Sequence, residues 1–100
     1  ILPTGLEYNK PVAGKRYRAI GKAMQVPGID NMTDEEAADA TIAAVKQLSA
    51  DVGIPANLKG ILKEEDVAFL AKSAYADACC PGNPRDTNEE EIAELYKSLL

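Results

Sequence analysis

Two adjacent thiols, Cys79 and Cys80, stand just before a Pro-Gly turn in the stretch "ACCPGNPRD" at 78–86, and the chain has no other cysteine. Neighbouring thiols suggest redox or soft-metal chemistry, and a strained vicinal disulfide is the first form to weigh. Such a bond needs unusual local geometry and is readily reduced in a reducing compartment. A redox role would also call for a basic neighbour to stabilise the thiolate, and the nearest is Arg85. The simpler reading is a pair of reduced thiols in which a cysteine among alanines acts as a small buried hydrophobe. With no histidine in the chain, Ser-His-Asp, Cys-His and HExxH arrangements are all excluded. Gly5, Gly14, Gly21, Gly28, Gly53, Gly60 and Gly82 are scattered singly, so no phosphate-cradling loop is present. We therefore expect no catalytic, cofactor-binding or metal-ligating residue within these 100 residues.

The acidic clusters Asp34-Glu35-Glu36, Glu64-Glu65-Asp66 and Glu89-Glu90-Glu91 resemble cation sites only superficially. Each opens an apolar-periodic segment, where carboxylates favour the positive end of a helix dipole. Asn31-Met32-Thr33 matches a glycosylation sequon, but Thr33 has a capping role waiting for it. A net charge of -5 argues against a nucleic-acid surface, which needs clustered Lys and Arg. No apolar run approaches the roughly 20 residues that cross a bilayer, and no secretory leader pattern opens the chain. The expected location is the cytoplasm, with no nucleic-acid or membrane partner.

The elements that must position these residues read as all-α, because apolar residues recur at spacings of three and four and strand-like alternation is nearly absent. About five helices are expected. The first runs from Ala13 to about Gln25 with Tyr17, Ile20, Gly21 and Met24 on one face, ended by Val26-Pro27-Gly28. Thr33 and Glu36 form a capping box for the next, whose stripe is Ala37, Thr41, Ala44, Val45, Leu48 and Val52. Gly53 supplies its left-handed cap and Pro55 blocks resumption. After a turn over 57–62, "KEEDVAFLAKSAYADA" aligns Val67, Leu70, Ala71, Ala74 and Ala78. The last helix is expected to be capped by Thr87 with Glu90, presenting Ile92, Leu95, Tyr96 and Leu99. Asn83-Pro84-Arg85 reads as a turn. The chain opens at Ile1, inside an apolar stretch and without an initiator methionine, which predicts a segment of a longer parent.

Three stretches carry a resemblance: "RYRAIGKAMQV" at 16–26, "LSADVGIPANL" at 48–58 and "KEEDVAFLAKSAYADACCPGNPRDTNEEEIAELY" at 63–96. In this order they resemble the C-terminal region of the iron-containing (group III) alcohol dehydrogenases, over essentially residues 1–100. The combination of DVGIP with NPR, a threonine and an ELY segment is the specific part. The resemblance implies a two-domain parent, with an α/β domain holding NAD(P) and a helical domain holding one divalent metal, Fe(II) or Zn(II). It implies reversible oxidation of alcohols to aldehydes or ketones, with hydride passing to or from the nicotinamide. The family's metal is held by an aspartate and three histidines, the last of them just before the segment matched by Ile1-Leu2-Pro3, so none of that set falls in this chain. Cys79 matches a cysteine that lies near the substrate pocket, which assigns it to the pocket wall; Cys80 receives no role. The implied partners are the remainder of its own chain, further copies in a homo-oligomer, and the alcohol or aldehyde substrate. Alone, the segment is expected to be inactive. Two rivals stand beside this reading: a stand-alone acidic helical module that binds a protein through its apolar stripes, and a small thiol redox protein resting on Cys79-Cys80.

Overall fold

A computed structural model describes all of residues 1–100. Four α-helices make up the framework: α1 (Leu2–Ala23), α2 (Asp34–Asp51), α3 (Val67–Ala76) and α4 (Glu89–Lys97). Single 3-10 turns lie at Ile29–Asn31, Glu64–Asp66 and Cys80–Gly82. The all-α expectation holds, with four helices instead of about five. The chain divides into two compact units, Leu2–Pro55 and Ala56–Leu100.

In the first unit α1 and α2 form an antiparallel hairpin. Its core is Ala13, Tyr17, Ala38 and Ile42, with Leu6 packed against them. Small residues let the helices approach closely: Ala37 and Ala38 are fully buried, and a methyl built on Gly21 would collide with Ile29 Cδ1 and Thr41 Oγ1. The buried Thr41 hydroxyl lies 2.9 Å from Tyr17 O and 2.8 Å from Ala37 O, sharing one proton between two carbonyls and so leaving no polar atom stranded. Arg18 fastens the connection between the helices, donating to Ile29 O, to Met32 O at 2.8 Å and to Asp34 Oδ1 at 2.9 Å.

Helix α1 begins at Leu2, eleven residues earlier than the periodicity predicts, and runs through Pro11. Proline normally argues against a helix interior because it lacks the donor and its ring presses on the carbonyl four residues back. Here the helix bends to accommodate it. The Tyr17 hydroxyl donates to Leu6 O at 2.7 Å, whereas residues eleven apart in a straight helix are separated by about 16 Å along the axis, more than twice the reach of a tyrosine. The bend lets the segment before Pro11 lay Leu6 onto the core, and that tertiary contact overrides the local preference. The buried face of α1 is narrower than expected: Tyr17 and Gly21 are buried, Met24 is half-buried and Ile20 is exposed.

The same helix ends before Val26-Pro27. Gln25 takes a left-handed φ of 61°, Val26 N–H donates to Gly21 O at 2.9 Å and Gln25 N–H to Lys22 O at 3.0 Å. These paired bonds are a Schellman closure. Helix α2 ends the same way with the expected Gly53 at φ 80°, through Ile54 N–H to Ser49 O and Gly53 N–H to Ala50 O. Its N-terminus carries the expected box: Glu36 N–H donates to Thr33 Oγ1, and Thr33 N–H to Glu36 Oε1. The stripe departs from expectation beyond its middle. Ala37, Ala38, Thr41 and Ile42 are buried and Ala44 and Val45 half-buried, but Leu48 and Val52 are 53% and 64% exposed. Ile54 beyond the cap is exposed as well.

In the second unit α3 packs on α4. Leu62, Val67, Ala71, Ile92 and Leu99 are its buried apolar residues. Leu58 N–H donates to Leu99 O at 2.8 Å, tying the turn over 57–62 to the chain end. Helix α3 is shorter than predicted because Asp77 turns to an extended φ/ψ of -64°/136°, which leaves Ala78 exposed instead of on the stripe. The cap of α4 is also shifted. Asn88, not Thr87, is the N-cap, and its side chain accepts from Glu91 N–H at 2.8 Å. Asparagine competes well for this position, so the helix starts one residue later and Thr87 is released for another contact.

Candidate functional site

The turn at 77–88 joins α3 to α4 and carries both thiols. Asp77 organises its start: its carboxylate Oδ1 accepts from Cys79 N–H at 2.7 Å, and its carbonyl accepts from Cys80 N–H at 3.0 Å. An aspartate bonding the backbone two residues ahead is an Asx turn, and it explains why the helix does not continue into the cysteines. Gly82 N–H then donates to Cys79 O and Asn83 N–H to Cys80 O, closing the 3-10 turn over Pro81. Asn83 Nδ2 donates to Arg85 O at 2.7 Å, which shapes the expected Asn-Pro-Arg turn.

A concavity of about 410 Å³ opens beside this turn, lined by Tyr75, Cys80, Asn83, Arg85 and Thr87 among others. Both cysteines are free thiols, Cys79 exposed and Cys80 half-buried. Cys80 Sγ lies 3.3 Å from Thr87 Oγ1. Cys80, given no role in the sequence reading, is thus the thiol that faces the concavity within this unit. Cys79 presents its side chain to the surface of the chain. The usable signal was the cap: with Asn88 as N-cap, Thr87 is free to meet a partner seven residues back.

A second concavity, of about 680 Å³, lies in the first unit between the bend of α1 and the start of α2, lined by Lys10, Gly14, Lys15, Arg16, Asp34 and Glu35 among others. Lys10 Nζ donates to Asp39 Oδ1 at 2.8 Å, and Glu7 lies 3.8 Å away. The hydrogen bond to Asp39 holds the Lys10 ammonium above its ordinary range; burial works against it, and the charges of Asp39, Glu7 and Glu35 add to it. Tyr17 is also raised, first because burial disfavours its phenolate and then because Glu7 is negative. Both shifts keep groups in the protonation states they already have near neutrality, so this is an ion-paired surface and not an acid-base pair.

No group of three or more His, Cys, Asp or Glu side chains could hold a metal ion. No helix is long and apolar enough to cross a membrane. These residues present a half-buried Cys80 thiol on a concavity of mixed polarity, an exposed Cys79 thiol, and exposed apolar side chains on both units.

Comparison with known proteins finds that the family described as "Fe-containing alcohol dehydrogenase family, C-terminal" matches residues 1–100. Lactaldehyde reductase of Escherichia coli (strain K12) is 41% identical over 97 residues, covering 96% of this chain and 25% of that protein. The 1,3-propanediol dehydrogenase of Citrobacter freundii is 35% identical over 101 residues, covering 100% of this chain and 26% of that protein. Among solved structures, the crystal structure of a 1,3-propanediol oxidoreductase superposes with a TM-score of 0.92 at 33% identity, over 99% of this chain and 26% of that one. The chain spans about a quarter of the length of these relatives.

Proposed function

We propose, on the premise that the chain belongs to the iron-containing alcohol dehydrogenase family and corresponds to its C-terminal part, that it is the distal portion of the helical domain of a metal-dependent, NAD(P)-linked alcohol dehydrogenase. The observation that carries this reading is the agreement in backbone over 99% of the chain with a 1,3-propanediol oxidoreductase, at 33% identity. In the intact protein the reaction is the interconversion of an alcohol with its aldehyde or ketone. The names of the relatives, among them a lactaldehyde reductase and a 1,3-propanediol dehydrogenase, support a short-chain substrate. We infer a cytoplasmic homo-oligomer; what supports this is the family resemblance.

The donor set of this chain does not fit the family's metal, since it has no histidine and no cluster of three ligating side chains. The Fe(II) or Zn(II) and the NAD(P) belong to the remainder of the protein. What these residues contribute is packing and part of a pocket wall. Cys79 is our wall residue: its side chain is exposed in this chain while its amide is held by Asp77, which leaves a positioned small polarizable group for the rest of the protein to meet. Leu48, Val52 and Ile54 are apolar surface that the same remainder would cover.

The test is kinetic and uses the intact protein loaded with iron or zinc. It should turn over short alcohols with NAD(P), whereas the 100-residue chain alone should not. Cys79→Leu should shift the ratio of kcat/KM between a short and a long alcohol, and Cys79→Ala should retain bound metal and substantial turnover. Loss of metal in Cys79→Ala, or an unchanged ratio in Cys79→Leu, would remove Cys79 from the wall. An intact protein without alcohol or aldehyde turnover would overturn the reading as a whole.

A further inference from the structure

Cys79 and Cys80 are adjacent soft nucleophiles, and residues 1–100 seal neither of them in a core; the pocket-wall position proposed for Cys79 keeps it open to a small molecule. The turn that holds them is braced on both sides, by the Asp77 carboxylate and carbonyl before it and by the Gly82 and Asn83 amides after it. Cys79 sits at φ -85°, ψ -13° and Cys80 opens a 3-10 turn. As for any consecutive residues across a trans peptide, their Cα atoms are about 3.8 Å apart; the braced turn holds the two Cβ directions, and the sulfurs reach a common atom by side-chain rotation. Cys80 gives up its 3.3 Å contact with Thr87 Oγ1 in doing so. A metal that demands three or four protein ligands finds no third one here. A thiophile satisfied by two sulfurs does not need one.

We propose that Cys79 and Cys80 form a vicinal dithiol that captures trivalent organoarsenicals as a cyclic dithioarsonite. With an arsine oxide, each thiol loses its proton, two As–S bonds form, the As–O linkage breaks and its oxygen leaves with both protons as one water. Neither sulfur nor arsenic changes oxidation state, so no oxidant or reductant takes part. The second sulfur binds intramolecularly at a high effective concentration, which makes the chelate on the order of a hundredfold or more tighter than one thiol alone.

The intact protein, freshly reduced and titrated with phenylarsine oxide beside its Cys79→Ser, Cys80→Ser double variant as the baseline for any thiol outside residues 1–100, tests this. The expected product carries one arsenical per chain more than that double variant, with two further thiols lost to a thiol-titrating reagent. It should persist in excess 2-mercaptoethanol and be released by 2,3-dimercaptopropanol. Cys79→Ser and Cys80→Ser, each checked for unchanged helix content by circular dichroism, should bind at least about a hundredfold more weakly. Relative to the double variant, an adduct that consumes only one thiol, two arsenicals per chain, or a single-serine variant that binds as tightly as the parent would overturn the proposal. These readouts require neither metal nor NAD(P), so their failure is distinct from a failure of the dehydrogenase reading.

Discussion

Gly21→Ala and Gly14→Ala make the same change on the same helix and should shift stability in opposite directions. Inside a helix, alanine is favoured over glycine by about 0.8–1 kcal/mol. A Cβ at Gly14 would meet no heavy atom within 4 Å, and its φ is not left-handed, so that preference should appear as a stabilisation of about 0.5–1 kcal/mol. A Cβ at Gly21 would overlap Ile29 Cδ1 and Thr41 Oγ1 and touch Thr41 Cβ at 3.6 Å. Ile29 is 4% exposed and Thr41 1%, so neither side chain can swing into solvent. Overpacking of this kind costs about 1–3 kcal/mol, and displacing the Thr41 hydroxyl from Tyr17 O and Ala37 O adds about 0.5–1.5 kcal/mol. After the propensity gain is set against these terms, Gly21→Ala should lose about 1–3 kcal/mol. Urea unfolding followed by far-ultraviolet circular dichroism, with equal m-values for the two variants, measures the difference. The double variant Gly21→Ala with Ile29→Val deletes the overlapping Cδ1 and should cost less than the sum of the single changes. Gly21→Ala as stable as Gly14→Ala would refute the close approach of α1, α2 and Ile29.

Alkaline pH should weaken the first unit. Tyr17 and Lys10 both have raised folded-state values, so the folded state holds more protons and stability is intact below about pH 10, falling as pH rises through those values. Tyr17→Phe and Lys10→Met should each flatten this fall in unfolding curves taken across the window, and an unchanged slope in both would contradict the assignment. Gln25→Gly should stabilise by about 0.5–1 kcal/mol, because the left-handed φ of 61° is costly for a residue with a Cβ and free for glycine; a lower urea midpoint would argue against the Schellman closure of α1. Asn88→Ala should lose about 1 kcal/mol through the lost cap to Glu91 N–H, while Thr87→Ala should lose less. The reverse order in urea unfolding would restore Thr87 as the cap.

Features set by neighbours in the chain were legible in the sequence. The Thr33–Glu36 box and the left-handed Gly53 involve groups at most a few residues apart, so residue type and spacing specify them wherever the segment lies. The all-α class followed from periodicity for the same reason. The absence of histidine likewise rules out imidazole chemistry in these residues without reference to any fold. What the sequence left undecided depends on partners distant in the chain. Helix α1 extends through Pro11 because bending there brings Leu6 and its carbonyl to the core and to Tyr17, a contact across eleven residues that no local propensity encodes. Thr87 and Asn88 both suit an N-cap, and the choice between them fell to the turn that sets Cys80 against the Thr87 hydroxyl. The Asx turn of Asp77 stopped α3 before the cysteines, and with that the face each thiol presents passed from helical periodicity to the turn. Residue spacing determines which bonds a segment can make with itself; only tertiary structure decides which competing local choice also buries a side chain or satisfies a polar group elsewhere.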